Sequence, residues 1–176
     1  MGHRAVQVTI GVVESSAGES QDWTVKALRE AGSSLLLELR GLGETTLRRR
    51  PADDERSLWE IAAHLAESER LALEQISAIL TGVADPLPVR DVEAPAEEWT
   101  RAELDAEECL AEFSALRGRM IRLLRRLTEA EWQATGRHPY RGEITVERIA
   151  RELARHDLEH LWQVRRLKGA LDEGAE

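Results

Sequence analysis

Apolar residues recur along most of the chain at intervals of three and four, the period of a helix with one buried face. Four such stretches stand out. The first takes Ser20 or Asp22 as its N-cap and runs to about Leu42, with Val25, Leu28, Leu35, Leu39 and Leu42 on one face; Gly41 and Gly43 end it. The second follows the polar start Asp53-Asp54-Glu55-Arg56-Ser57 and continues to about Thr81, ahead of Gly82. Its stripe is Leu58, Ile61, Leu65, Ala72, Ile76 and Ile79. The third spans about Leu104 to Leu127, with Leu110, Phe113, Leu116, Met120, Ile121, Leu124 and Leu127 facing inward. Its opposite face carries Arg117, Arg119, Arg122, Arg125 and Arg126, read as a solvated face in preference to an anion-binding groove. The fourth is capped by Thr145, reaches about Lys168 and stops at Gly169.

Between these stretches the pattern lapses. Ala5 to Val13 alternates loosely, which suits a short strand or a flexible arm over residues 1–21. Residues 82 to about 101 contain Pro86, Pro88 and Pro95 and no sustained period, so they read as a connection. About twenty extended residues reach more than 60 Å, against about 37 Å for a 25-residue helix, so this connection can cross a whole bundle. Helices two and three are then expected to run parallel, and two and four antiparallel. Thr128-Glu129-Ala130-Glu131 has the spacing of a capping box for one extra turn, and Gly136 to Gly142 reads as a loop. The expected fold is all-α, a four-helix bundle over residues 22–169 with a long crossover between helices two and three and a tail at 170–176.

Composition narrows the function. The 176 residues suffice for one domain with a proper core, and a formal net charge of −9 leaves little to neutralise phosphates, so no nucleic-acid partner is expected. Cys109, the only cysteine, excludes an internal disulfide and a cysteine-rich zinc site, and its place in an apolar stripe predicts an inert buried thiol. No apolar run approaches the roughly twenty residues that span a bilayer, and Met1 to Gln21 lacks the apolar segment of a signal peptide, so a cytoplasmic protein with no membrane partner is expected. Five tryptophans beside one Phe and one Tyr suggest a surface apolar patch and a homodimer, with Trp23 and Trp99 as exposed candidates.

The chemistry concentrates in histidines. His156 and His160 stand four apart on the fourth helix, at positions where the stripe Val146, Ile149, Leu153, Val164 and Leu167 calls for aliphatic residues. Their rings leave one face a turn apart and can reach one ion, and His64 on the flank of the second helix supplies a third imidazole. Three such ligands leave a position for water or substrate, as in catalytic sites, and suit zinc, nickel, copper or iron, with zinc and nickel foremost. Three unconnected histidines, each hydrogen-bonded in the core, are the alternative. Glu67, one turn from His64, is a candidate acceptor for that ring's second nitrogen. The stretch His156-Asp157-Leu158-Glu159-His160 also fits an inverted zinc-peptidase pattern, but no histidine follows His160 to complete that set.

The segments Ser57-Leu58-Trp59-Glu60-Ile61-Ala62-Ala63-His64-Leu65-Ala66-Glu67-Ser68-Glu69, His138-Pro139-Tyr140-Arg141-Gly142-Glu143-Ile144-Thr145 and His156-Asp157-Leu158-Glu159-His160-Leu161-Trp162-Gln163 together resemble the DinB/YfiT-like superfamily, over about residues 22–169. The resemblance implies a four-helix bundle with a crossover between helices two and three, and a metal held by one histidine of helix two and two of helix four, which map onto His64, His156 and His160. Characterised relatives include thiol transferases that use bacillithiol or mycothiol. The implied function is therefore metal-dependent transfer of a low-molecular-weight thiol to an electrophilic small molecule. A hydrolase using metal-bound water and a non-catalytic metal-binding module are the alternatives.

Overall fold

The chain runs through α1 (Thr9–Leu39), α2 (Glu44–Arg48), α3 (Leu58–Thr81), α4 (Ala106–Leu124), α5 (Glu129–Trp132), the strands β1 (Thr135–His138) and β2 (Gly142–Thr145), and α6 (Val146–Glu173). The computed structural model describes residues 9–52, 55–90 and 105–173, with side chains within 18–52, 55–90 and 105–171.

Local chemistry sets the helix ends. Ser57 accepts from the Glu60 amide while Glu60 accepts from the Ser57 amide, a reciprocal box that starts α3. Asp105 with Glu108 and Thr128 with Glu131 start α4 and α5 in the same way, and the Thr145 hydroxyl accepts from the Arg148 amide at 3.0 Å to open α6. Gly82 closes α3 with φ near +65°, a conformation in which a side chain would be strained.

Two apolar clusters fix the helix directions. In one, Leu35 and Leu39 of α1 meet Leu58 and Ile61 of α3, Phe113 of α4 and Leu167 of α6. In the other, Leu28 of α1 meets Ile76, Met120 and Ile149. The end of α1 thus lies with the starts of α3 and α4 and the end of α6. Helices α1 and α6 run parallel, α3 and α4 run parallel, and the two pairs oppose each other. This is the expected crossover topology: α4 begins at the end of the bundle where α3 begins.

Three expectations on local structure are corrected. Helix α1 starts at Thr9, so residues 9–21 are helical and not a strand or arm, and Ser20 lies inside the helix, its carbonyl accepting from the Thr24 hydroxyl at 2.9 Å. Strand propensity is a weak prior beside the propagation of an established helix. Helix α6 continues through Gly169 to Glu173, because Leu171 extends the buried stripe, and its burial outweighs the roughly 1 kcal/mol that a mid-helix glycine costs. The loop expected at 136–142 is an antiparallel hairpin with Thr135 opposite Thr145, anchored by the buried Ile144. The one-turn helix α2, unforeseen, seats Leu47 in the core. Cys109 is buried, as expected, and no described helix is long and apolar enough to cross a membrane.

Candidate metal centre

Helices α3 and α6 pass each other antiparallel, which sets His64, two turns into α3, against the middle of α6. His64 is fully buried; His156 and His160 are half-buried, the His156 side chain keeping 26% of its surface exposed. The cluster is thus most deeply buried on its α3 side and partly exposed on its α6 side.

The three rings point their Nε2 atoms at one another. His156 Nε2 lies 2.8 Å from that of His64 and 3.0 Å from that of His160. The ring planes are inclined at 47°, 63° and 75°, so the imidazoles fan out from a shared vertex and do not stack. Around a tetrahedral ion with bonds of about 2.0–2.1 Å, neighbouring nitrogens stand about 3.3 Å apart, which these rings reach by opening a few tenths of an ångström. One potential ligand atom from each residue lies within 4.8 Å of the others, and among the described residues this is the one such cluster of His, Cys, Asp and Glu. The donor set fits a divalent transition ion.

The protonation pattern fits as well. The Nδ1–H of His160 donates to Gln163 Oε1 at 2.9 Å, which leaves the Nε2 lone pair free to bind. Burial, reinforced by the neighbouring His156, holds the His160 pKa below the usual imidazole value against the opposing pull of Gln163. The ring is therefore neutral, the form a metal requires. The oxygens of Glu67, the expected acceptor for His64, pair with Arg70 and Arg90.

Beside the histidines lies a charge cluster. Arg117 is buried, in contrast to its expected solvated place with Arg119, Arg122, Arg125 and Arg126, which are exposed. Its Nε and one terminal nitrogen donate to the two Glu69 oxygens at 3.0 and 2.6 Å. The other terminal nitrogen lies 2.6 Å from the Leu28 carbonyl oxygen and 2.7 Å from Asp157 Oδ2. Glu69 and Asp157 are fully buried. Burial pushes the Glu69 carboxyl above its ordinary pKa although Arg117 opposes it, and the two carboxylates hold the Arg117 guanidinium charged despite its burial. One guanidinium thus ties α1, α3, α4 and α6 together. A signal for it exists: Glu69, Arg117 and Asp157 each fall on the three-and-four spacing of their stripes, as in Phe113, Arg117, Met120 and Leu124.

His138 stands apart in the hairpin, its Nδ1 accepting from the Tyr140 amide at 3.2 Å. Trp23 is 67% exposed, as expected, and Trp162 is 75% exposed; Trp99 lies outside the described residues. A groove of about 760 Å³ between α1 and α6, lined by Trp23, Arg151 and Leu158 among others, includes none of the three histidines.

The DinB superfamily model matches residues 27–164. Among solved structures, YfiT from Bacillus subtilis, described as a probable metal-dependent hydrolase with an unusual four-helix bundle topology, superimposes with a TM-score of 0.77 at 21% identity, covering 98% of this chain and 94% of its own. The four-helix bundle protein TT2238 does so with a TM-score of 0.60 at 21% identity, covering 82% of this chain and 98% of its own. No curated protein matches the sequence.

Proposed function

The chain belongs to the DinB superfamily, and on that footing we propose that it is a metal-dependent enzyme whose ion is held by His64, His156 and His160 and whose reaction transfers a low-molecular-weight thiol to an electrophilic small molecule. The observation that carries this reading is the convergence of three Nε2 atoms at 2.8 and 3.0 Å on the accessible flank of α6. A divalent zinc or nickel ion there would supply Lewis acidity, lowering the pKa of a thiol in the remaining position so that it attacks as a thiolate.

The protein's own side chains divide the remaining work. His64, enclosed by α3 and the core, closes the inner side and excludes water. His156 and His160 frame the outer side, where a small molecule enters, and Gln163 holds the proton of His160 at Nδ1 and so keeps its Nε2 available.

Hydrolysis is the second reading, favoured by the description of YfiT as a probable metal-dependent hydrolase. The two separate in one experiment. Protein reconstituted with zinc or nickel is offered bacillithiol, mycothiol or glutathione with a chlorinated arene or bimane, and in parallel a set of activated esters and amides. Thioether formation that needs the metal and is lost in His64→Ala supports transfer; metal-dependent ester or amide cleavage without thiol consumption replaces it with hydrolysis. Stoichiometric metal with neither turnover leaves a non-catalytic module. A homodimer through the α1–α6 face, where Trp23 and Trp162 are exposed, belongs to the same proposal.

A further inference from the structure

The cluster of Arg117, Glu69 and Asp157 is hard to account for by stability. Burying ions carries a desolvation cost of several kcal/mol each, and well-packed apolar replacements of such groups are often as stable or more so. The space for the guanidinium is prepared on α1: a Cβ at Gly32 would stand 2.8 Å from the Arg117 terminal nitrogen.

The cluster meets the histidines at one place. Asp157 follows His156 in sequence and points into the core, its Oδ2 ion-paired at 2.7 Å with an Arg117 terminal nitrogen although neither carboxylate oxygen has a hydrogen-bond partner among the described residues. Its other oxygen, Oδ1, lies 4.0 Å from His156 Nδ1, and both atoms are buried with no hydrogen-bond partner among the described residues. Two unmatched buried polar atoms of complementary kind, side by side, are costly unless they serve a second state. A neutral imidazole that binds through Nε2 carries its proton on Nδ1, so occupation of the site creates a donor where Asp157 Oδ1 waits. A shift of about 1 Å brings the pair to a normal hydrogen-bond length of about 3 Å.

We propose that Asp157 is the positioning residue of the metal centre, aimed at His156 Nδ1 by the buried Arg117, and that this four-helix charge cluster raises the affinity of the site for a divalent cation without touching it. The inference rests on the metal reading above. The ion pair with Arg117 biases the Asp157 carboxylate toward the side on which His156 Nδ1 lies.

The test is zinc affinity measured by competition with a chromophoric chelator on the full chain, together with the cobalt(II) absorption spectrum and the melting temperature with and without zinc. His156→Ala serves as the control for the site itself. Asp157→Asn, close to isosteric, is expected to bind zinc 10- to 100-fold more weakly, as outer partners of ligating histidines do. It should keep a tetrahedral cobalt spectrum and show a smaller zinc-induced rise in melting temperature. Gly32→Ala, which dislodges the guanidinium but leaves both carboxylates in place, is expected to weaken zinc binding in the same direction. If the parent chain binds no zinc, or His156→Ala binds it as well as the parent, the metal reading itself fails. If the parent binds and both Asp157→Asn and Gly32→Ala match its affinity, the cluster is merely structural and the inference is overturned. A lower melting temperature without zinc alongside unchanged affinity overturns it equally. Should Asp157→Asn not fold, Gly32→Ala decides alone.

Discussion

Gln163 and His160, one turn apart on α6, are joined by a 2.9 Å hydrogen bond from imidazole Nδ1 to the amide oxygen. The bond fixes the tautomer, and the same helical spacing that brings His160 beside His156 brings Gln163 beside His160. One helix, α6, thus carries two of the three clustered histidines and the group that orients one of them.

Replacing Gln163 by Leu should therefore weaken zinc or nickel binding about 10-fold while leaving helix content unchanged, because the ring loses its orientation and keeps its ligand atom. Chelator competition with circular dichroism checks both halves. Gln163→Glu should bind at least as tightly as the parent, since a carboxylate is the stronger acceptor. A tighter-binding Gln163→Leu would show that the bond does not set the tautomer.

Most of the bundle is legible in the sequence because caps and stripes are local signals. Ser57 with Glu60, Thr128 with Glu131 and Thr145 act at the predicted ends, and the topology follows from the length of one connection. The histidine cluster is legible in its spacing, although the depths are reversed: His64, expected on a flank, is fully buried, while His156 and His160 are half-buried beside the stripe position that Asp157 takes. The run of arginines around Arg117 points to a solvated face, although its spacing from Phe113 and Met120 is that of a core position. Its charge is tolerable there only through Glu69 and Asp157, on two other helices, and pairing across helices leaves no trace in any one local pattern. Spacing alone points to Glu67 beside His64, and it carries no sign of the ion pairs that Glu67 makes with Arg70 and Arg90.

Acid should loosen the start of α3 before neutral pH matters. Burial pushes the Glu60 carboxyl upward, but its bonds to the Ser57 amide and hydroxyl and its pairing with Arg50 prevail and hold it below the ordinary value of 4.5. A carboxylate with a depressed folded-state pKa contributes stability that is present above 4.5 and lost as the pH falls through the folded value. Glu60→Gln is expected to cost about 1 kcal/mol at pH 7 and to flatten the decline in stability below pH 4.5. Urea melts at pH 3.5, 4.5 and 7 measure it. An equal acid decline in parent and variant would assign that dependence to other carboxylates.

The proposed dimer can be tested at its exposed aromatics. Trp23 on α1 and Leu158 on α6 line one groove, and Trp162 follows Leu158 by one turn on α6. Trp23→Ser and Trp162→Ser together should shift the sedimentation profile at micromolar concentration from dimer to monomer without changing helix content, because interface aromatics carry a large share of the association energy. A monomeric parent at the same concentration removes the dimer from the proposal.

His156→Ala and His160→Ala should each end stoichiometric metal retention. His156 stands between the other two rings, and without it His64 and His160 are left as a pair with no chelating neighbour on the same helix. Without His160 the remaining pair loses the member that Gln163 aims by holding its Nδ1 proton. The effect on folding should be small in comparison. Truncating a core leucine such as Leu65, which is 1% exposed, is expected to cost about 2–5 kcal/mol through lost burial and the cavity left behind. Each histidine truncation also removes a half-buried polar ring that the bundle accommodates at a cost, so the metal-free variants should lose less than Leu65→Ala in urea melts. Elemental analysis after dialysis against a mild chelator reads the first half, and the melts read the second. Metal retained at one equivalent in either variant would return the three histidines to separate roles in the core.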